Sequence, residues 1–331
     1  MRQNTRQSRL VVGIAVSVLL LALFGCSLLY QIKTADQVVK KAIAEQKSAD
    51  QTLEKAADFD SELDSLTPTE DNATQILSKT SALKENVKQA KEGLSDSGKR
   101  LRAAKGLRLP DWYKEKYIAR LEDEIDKKED GLKEMEKMLA KSENYGKSIQ
   151  AWYKGYHDLN QAELNATNIT SAIGAEDYQT AANEGDKAKS GITNAQTEFN
   201  NAASFANIKM YSDARDAAEI YAQMIDPLQE MISIVNQLAN TPPENLTIDI
   251  VNSASAQIDA LYAEVQDAAT KGDAIFPQDI PEDGSIPQSG QDQLRDWRKE
   301  NIKTYVAKIK DFVKEAEELD DEARDIRAEE N

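Results

Sequence analysis

Histidine and cysteine are nearly missing from this chain: each occurs once in 331 residues, as His157 and Cys26. An internal disulfide is therefore excluded, and a zinc or copper site has almost no ligands to draw on. Turn formers are scarce too. The 14 glycines and 8 prolines are a share about half of the usual figure of about 12%. Aromatic residues make up only 6%. What fills the chain instead is Ala, Glu, Lys, Asp and Gln, which excludes a sheet-built fold and predicts long helices.

Basic clusters are missing outside one short stretch. Arg2, Arg6 and Arg9 fall in the first nine residues, which hold no acid; the rest carries 38 basic and 58 acidic residues, a net charge of −20. Such a surface repels nucleic acid and anionic lipid, so nucleic-acid binding is not expected.

One long apolar run is present. Residues 10–30, "LVVGIAVSVLLLALFGCSLLY", are 21 positions without a charge. As a helix they span about 30 Å, the thickness of a bilayer's hydrocarbon core. The arginines before them predict a cytoplasmic tail over 1–9 and an acidic remainder outside. Within the run, "LFGCS" resembles a bacterial lipobox, which makes Cys26 the candidate lipidation site and residues up to 25 a lipoprotein signal. Leu23, Gly25 and Ser27 suit that pattern; Phe24 is bulkier than usual for it. The other reading is an uncleaved signal-anchor, favoured because "SLLY" continues the apolar run. Beyond it Ile32, Ala35, Val39, Ala42, Ala49, Leu53, Ala56 and Leu63 keep three- and four-residue steps, with Gln46 and Asp60 off the pattern.

Punctuation divides the remainder. "SLTPTE" predicts a helix start with Thr67 as N-cap and Glu70 closing a capping box, and Gly106 predicts its end. Pro110 starts the next helix, whose seam reads Ile118, Leu121, Ile125, Lys128, Leu132, Met135 and Leu139, one lysine intruding. "SENYGK" at 142–147 and "GAEDY" at 174–178 are expected turns. A helix from about 212 to 238 should kink at Pro227, and "NTPPEN" at 240–245 should break the chain. Residues 272–290 are expected to form the one long loop and the domain boundary. They resemble an EF-hand loop at Asp279, Asp283 and Gly284, but Gly290 stands where the bidentate Glu is needed, so no calcium site is expected.

The terminal helix carries the most regular seam. Ile302, Tyr305, Ile309, Phe312, Ala316, Leu319, Ala323 and Ile326 alternate three- and four-residue steps throughout. Such a seam specifies docking against a helix of this chain or another.

No constellation for catalysis, cofactor or metal can be named. The aromatics of "WYKEKY" and "AWYKGYH" read as plugs in Ala-rich interfaces, not as a joint platform for sugars. His157 reads as a surface or interface residue, and the carboxylates of "EELDDEARD" as a solvated helix face. Asn72, Asn165, Asn168 and Asn245 head glycosylation acceptor triplets.

The sequence therefore predicts an all-α fold: an elongated helical bundle or coiled-coil ectodomain after a single N-terminal membrane segment. Its parts are the tail 1–9, the anchor 10–30, a multi-helix bundle 31–271, the loop 272–290 and an amphipathic helix 291–331. The expected function is structural or interactive, binding a protein partner or itself through helix seams in the cell envelope. A ligand-sensing helical bundle or a surface lipoprotein is the alternative. An enzyme is not expected.

Overall fold

Between Cys26 and Thr67 the sequence holds neither glycine nor proline, so nothing interrupts the first helix. In the computed structural model α1 runs from Asn4 to Ser65. The structure describes residues 4–329 apart from 176, 243, 244, 246 and 282, and side chains from Tyr30 onward. The membrane expectation for 10–30 and the lipidation expectation at Cys26 therefore concern side chains outside the described set. Among the described residues no helix is long and apolar enough to cross a membrane.

Nine α-helices and no strand occur among the described residues, so the fold is all-α. After α1 come α2 (Glu70–Lys105), a π-helical stretch (Trp112–Ile118) leading into α3 (Ala119–Gly174), and α4 (Tyr178–Phe205). Then follow α5 (Lys209–Ala222), α6 (Ile225–Asn240), α7 (Ile248–Ile275) and α8 (Gln288–Arg298). A second π-helical stretch (Lys299–Lys303) joins α8 to α9 (Thr304–Glu329).

Several local expectations are corrected. The cap of α2 is Thr69, not Thr67: its Oγ1 accepts from the Asn72 N–H at 3.3 Å. No turn forms at 142–147, because α3 passes straight through. Gly146 serves close packing there; a Cβ on it would come within 3.0 Å of Leu77 on α2. The expected kink at Pro227 is instead a full break between α5 and α6. Pro227 then sits in the first turn of α6, where a missing N–H costs no helical bond. The helix α7 continues past Gly272 to Ile275, so the irregular stretch is 276–287, shorter than 272–290.

The chain forms two compact units, each assembled from separated segments. The first comprises Met1–Glu62, Ser81–Leu139 and Lys303–Asn331; the second comprises Leu63–Thr80 and Ala140–Ile302. Residues 276–287 lie inside the second unit.

The first unit's core is built from seams visible in the sequence. Ala35, Val39, Ala42, Ala49 and Leu53 of α1 are buried, as are Leu121, Ile125, Leu132 and Met135 of α3. The α9 seam is covered as well: Ile309, Ala316 and Ala323 are buried, and Tyr305, Phe312, Leu319 and Ile326 half-buried. Phe312 lies against Gly131. Ion pairs from Lys127 to Glu315 at 2.6 Å and from Arg120 to Glu322 at 2.9 Å edge the contact. The eighth seam residue, Ile302, is buried in the second unit.

The second unit is organised around Trp152. Its ring meets Phe199 at 5.6 Å, Tyr211 at 6.0 Å, Tyr156 at 6.3 Å and Phe276 at 6.5 Å. Its indole N–H donates to the Gly284 carbonyl at 3.1 Å, so the one polar atom of a fully buried ring is satisfied.

Candidate functional site

The helix α7 carries more apolar circumference than the second unit covers. Its inner face, through Ala254, Val265, Ala268 and Gly272, is buried. A second row, Ile248, Val251, Ser255, Ile258 and Tyr262, repeats at three- and four-residue spacing and turns outward. Ile248 is 78% exposed, Tyr262 52% and Val251 45%. That spacing is the seam geometry of helix-on-helix packing. Thr247 fixes where the row begins, its hydroxyl accepting from the Ile250 N–H at 3.3 Å. From Ile248 to Thr270 the helix holds Asp249, Asp259, Glu264 and Asp267 and no basic residue. The face is thus apolar within a negative field.

The first unit holds a buried polar centre. Lys128, the lysine that intrudes on the α3 seam, donates to Glu124 at 2.6 Å and Asp50 at 2.7 Å. It also reaches the Gln46 side-chain oxygen at 3.1 Å, and Gln46 in turn donates to Ser97 at 3.1 Å. The off-pattern residues of two separate seams therefore meet. Burial pushes the Glu124 carboxyl above the usual carboxylate range, against the pull of Lys128. Burial also works to lower the lysine, but Glu124 and Asp50 outweigh it and hold Lys128 above its ordinary value. Beside this centre lies a pocket of about 420 Å³ that Asp50, Glu124 and Lys128 share with Glu317, Asp320 and Asp321 of α9.

His157 is exposed and lines another pocket, of about 570 Å³, in the second unit with Tyr153, Tyr156 and Asn160. Tyr153 donates its hydroxyl to the Pro68 carbonyl at 3.2 Å. Trp112 and Trp152 belong to different units. Among the described residues no group of three His, Cys, Asp or Glu side chains stands close enough to hold a metal ion. Asn165 is buried, so its acceptor triplet is closed to a glycan in the folded chain.

Sequence reasoning missed the α7 face and the pocket. The spacing of Ile248, Val251, Ile258 and Tyr262 was available as a signal, but exposure follows from the fold alone. The carboxylates of "EELDDEARD" gave no signal, since acidic residues are abundant on every helix.

Comparison with protein-family models, with curated proteins and with solved structures found no match for this chain.

Proposed function

We propose that this chain is a membrane-anchored, extracytoplasmic interaction protein whose partner helix docks on α7. Residues 10–30 are the anchor, residues 1–9 the cytoplasmic tail, and the acidic helical part lies outside. The apolar run that continues past Cys26 through "SLLY" supports an uncleaved anchor over lipidation at Cys26.

The observation that carries the docking reading is the outward seam of Ile248, Val251 and Tyr262. Covering each such side chain is worth about 1.5–3 kcal/mol, enough to drive association. Charge selects the occupant. Two copies of α7 would bring Asp249, Asp259, Glu264 and Asp267 against their own kind, whereas an amphipathic helix flanked by Lys and Arg complements them.

Photo-crosslinking in the native membrane tests this. A crosslinker at position 262 should capture a basic helical segment, and Val251→Glu should abolish the adduct. A probe at exposed Lys310 of α9 serves as control. Capture at 262 no greater than at 310 would refute the reading.

The alternative, a ligand-sensing helical bundle, is favoured by the pocket around His157. It predicts that Tyr156→Ala changes a small-molecule response and leaves the α7 adduct intact.

A further inference from the structure

We propose that the turn between α2 and α3, residues 106–111 with Trp112 just behind it, lies in the phospholipid headgroup layer of the membrane that holds α1. This deepens the anchored reading above and rests on residues 10–30 being the anchor.

Helix register puts the turn at the membrane end of the first unit. The helix α2 folds back along α1: Gln46 donates to Ser97 at 3.1 Å, and a Cβ on Gly93 would fall 2.6 Å from the Glu45 carbonyl oxygen. From Ser97, α2 runs on to Lys105, about 12 Å, which on α1 leads from Gln46 back to about Val38. The turn therefore lies beside residues 31–37. Tyr113, which follows it, accordingly donates to Asp36 at 2.6 Å. The apolar run ends at Tyr30. One to two helical turns further is about 5–10 Å, the depth of the headgroup layer outside the hydrocarbon core.

The side chains of the turn suit that layer. Leu107, Pro110 and Trp112 are half-buried, and Arg108 is exposed. Apolar and aromatic groups beside a cation partition to the interface between lipid and water. The turn is also held in shape, since the Leu107 N–H donates to the Ala104 carbonyl at 3.0 Å and the Tyr113 N–H to the Pro110 carbonyl at 3.1 Å. Little ordering is left for the membrane to impose.

Charge distribution removes the expected repulsion. Residues 99–120 hold eight basic and two acidic residues, so basic residues do cluster outside 1–9. Among the described residues Arg102, Arg108, Lys114 and Lys116 make no ion pair, nor does Lys33 on α1. Of the acids at this end, Asp36 is taken by Arg327 and Tyr113. Asp111, Glu115 and, on α9, Asp325 and Glu329 remain. The free cations thus balance the free acids on a chain whose net charge is −17, and lipid phosphates can approach Arg102 and Arg108.

Quenching of tryptophan emission by brominated lipid tests this, with the full chain in vesicles of phosphatidylcholine and phosphatidylglycerol. The chain has three tryptophans, and Trp112→Phe isolates the share that belongs to this one. Emission of the parent should fall when the acyl chains are brominated near the headgroup, and Trp112→Phe should remove that fall. The double variant Leu107→Asp/Arg108→Glu alters the turn alone; it should keep the parent's circular dichroism and lose the quenching. Equal quenching in the parent and Trp112→Phe, or in the parent and the double variant, would overturn the proposal. An alkaline wash of the vesicles separates the two readings. A chain stripped off refutes the anchor and this proposal with it, whereas a chain that stays while its emission is unquenched refutes the proposal alone.

Discussion

The guanidinium of Arg327 pairs with the carboxylate of Asp36, 291 positions earlier in the chain. The same carboxylate accepts the Tyr113 hydroxyl at 2.6 Å. Arg327 also lies over the rings of Tyr113, Trp112 and Tyr117, at 5.3, 5.7 and 5.9 Å from their centroids. A planar cation that stacks on rings and pairs with a carboxylate at once is a role lysine cannot fill. Arg327→Ala should lower stability by about 2 kcal/mol, and Arg327→Lys should recover less than half of that. Chemical denaturation of the three proteins checks it; equal stabilities would show that the contact contributes nothing.

The Lys128 centre makes a contrasting pair of predictions. Lys128→Met leaves Glu124 buried without its counter-charge, which should cost about 3–5 kcal/mol. Lys128→Met combined with Glu124→Leu removes both buried charges and should be close to neutral or more stable than the parent. A double variant as unstable as the single one would mean that the pair specifies the packing of the first unit.

Gly284 has φ +73°, and a Cβ there would fall 2.2 Å from the Tyr156 ring. Gly284→Ala should therefore destabilise the second unit by about 1–3 kcal/mol from backbone strain alone. Because Gly284 accepts the Trp152 N–H, indole fluorescence should shift to the red in the native state. Unchanged emission and stability would place the loop in another conformation.

Alkaline pH should unfold the protein cooperatively. Burial pushes the Tyr145 hydroxyl up to about 12 and drives Tyr113, Tyr211 and Tyr221 higher still. An unfolded tyrosine titrates near pH 10, so above that value the unfolded chain binds fewer protons than the folded one. The stability from these hydroxyls is thus complete below about pH 10 and is lost as pH rises toward the folded values. Lys128, also held high, acts in the same direction. Near-ultraviolet titration should show part of the 11 tyrosines ionising together with the loss of helix. A smooth, reversible titration of all of them near pH 10 would contradict the burial described.

Much of the fold was legible because helical burial is periodic. Ala35 to Leu63 on α1, Ile118 to Leu139 from the end of the π-helical stretch into α3, and the eight-residue seam ending at Ile326 all read directly from three- and four-residue steps. Elsewhere a local signal does not carry its usual meaning. Gly146 and Asn144 suggest a turn, yet glycine there makes room for Leu77, and only the neighbouring helix discloses that. Pro227 suggests a kink, yet the chain broke just ahead of it and reused it in a first turn. The pocket was illegible for a different reason: its carboxylates come from α1, α3 and α9, and no short stretch holds the constellation. Lys128 and Gln46 were the nearest hint, two polar residues on core faces that each needed a partner.

The first unit draws on both ends of the described chain, and this orders its birth. Its second segment ends at Leu139 and its last begins at Lys303, with the 163 residues of 140–302 between them. At roughly 5–20 residues per second, a ribosome needs roughly 8–30 s to make that stretch. Through that interval α1, α2 and the start of α3 lack the helix that covers Leu53 and Gly131, and when it ends the second unit has every one of its segments. The unit begun first is completed last, and its uncovered apolar seams are the surface that a holding chaperone would meet.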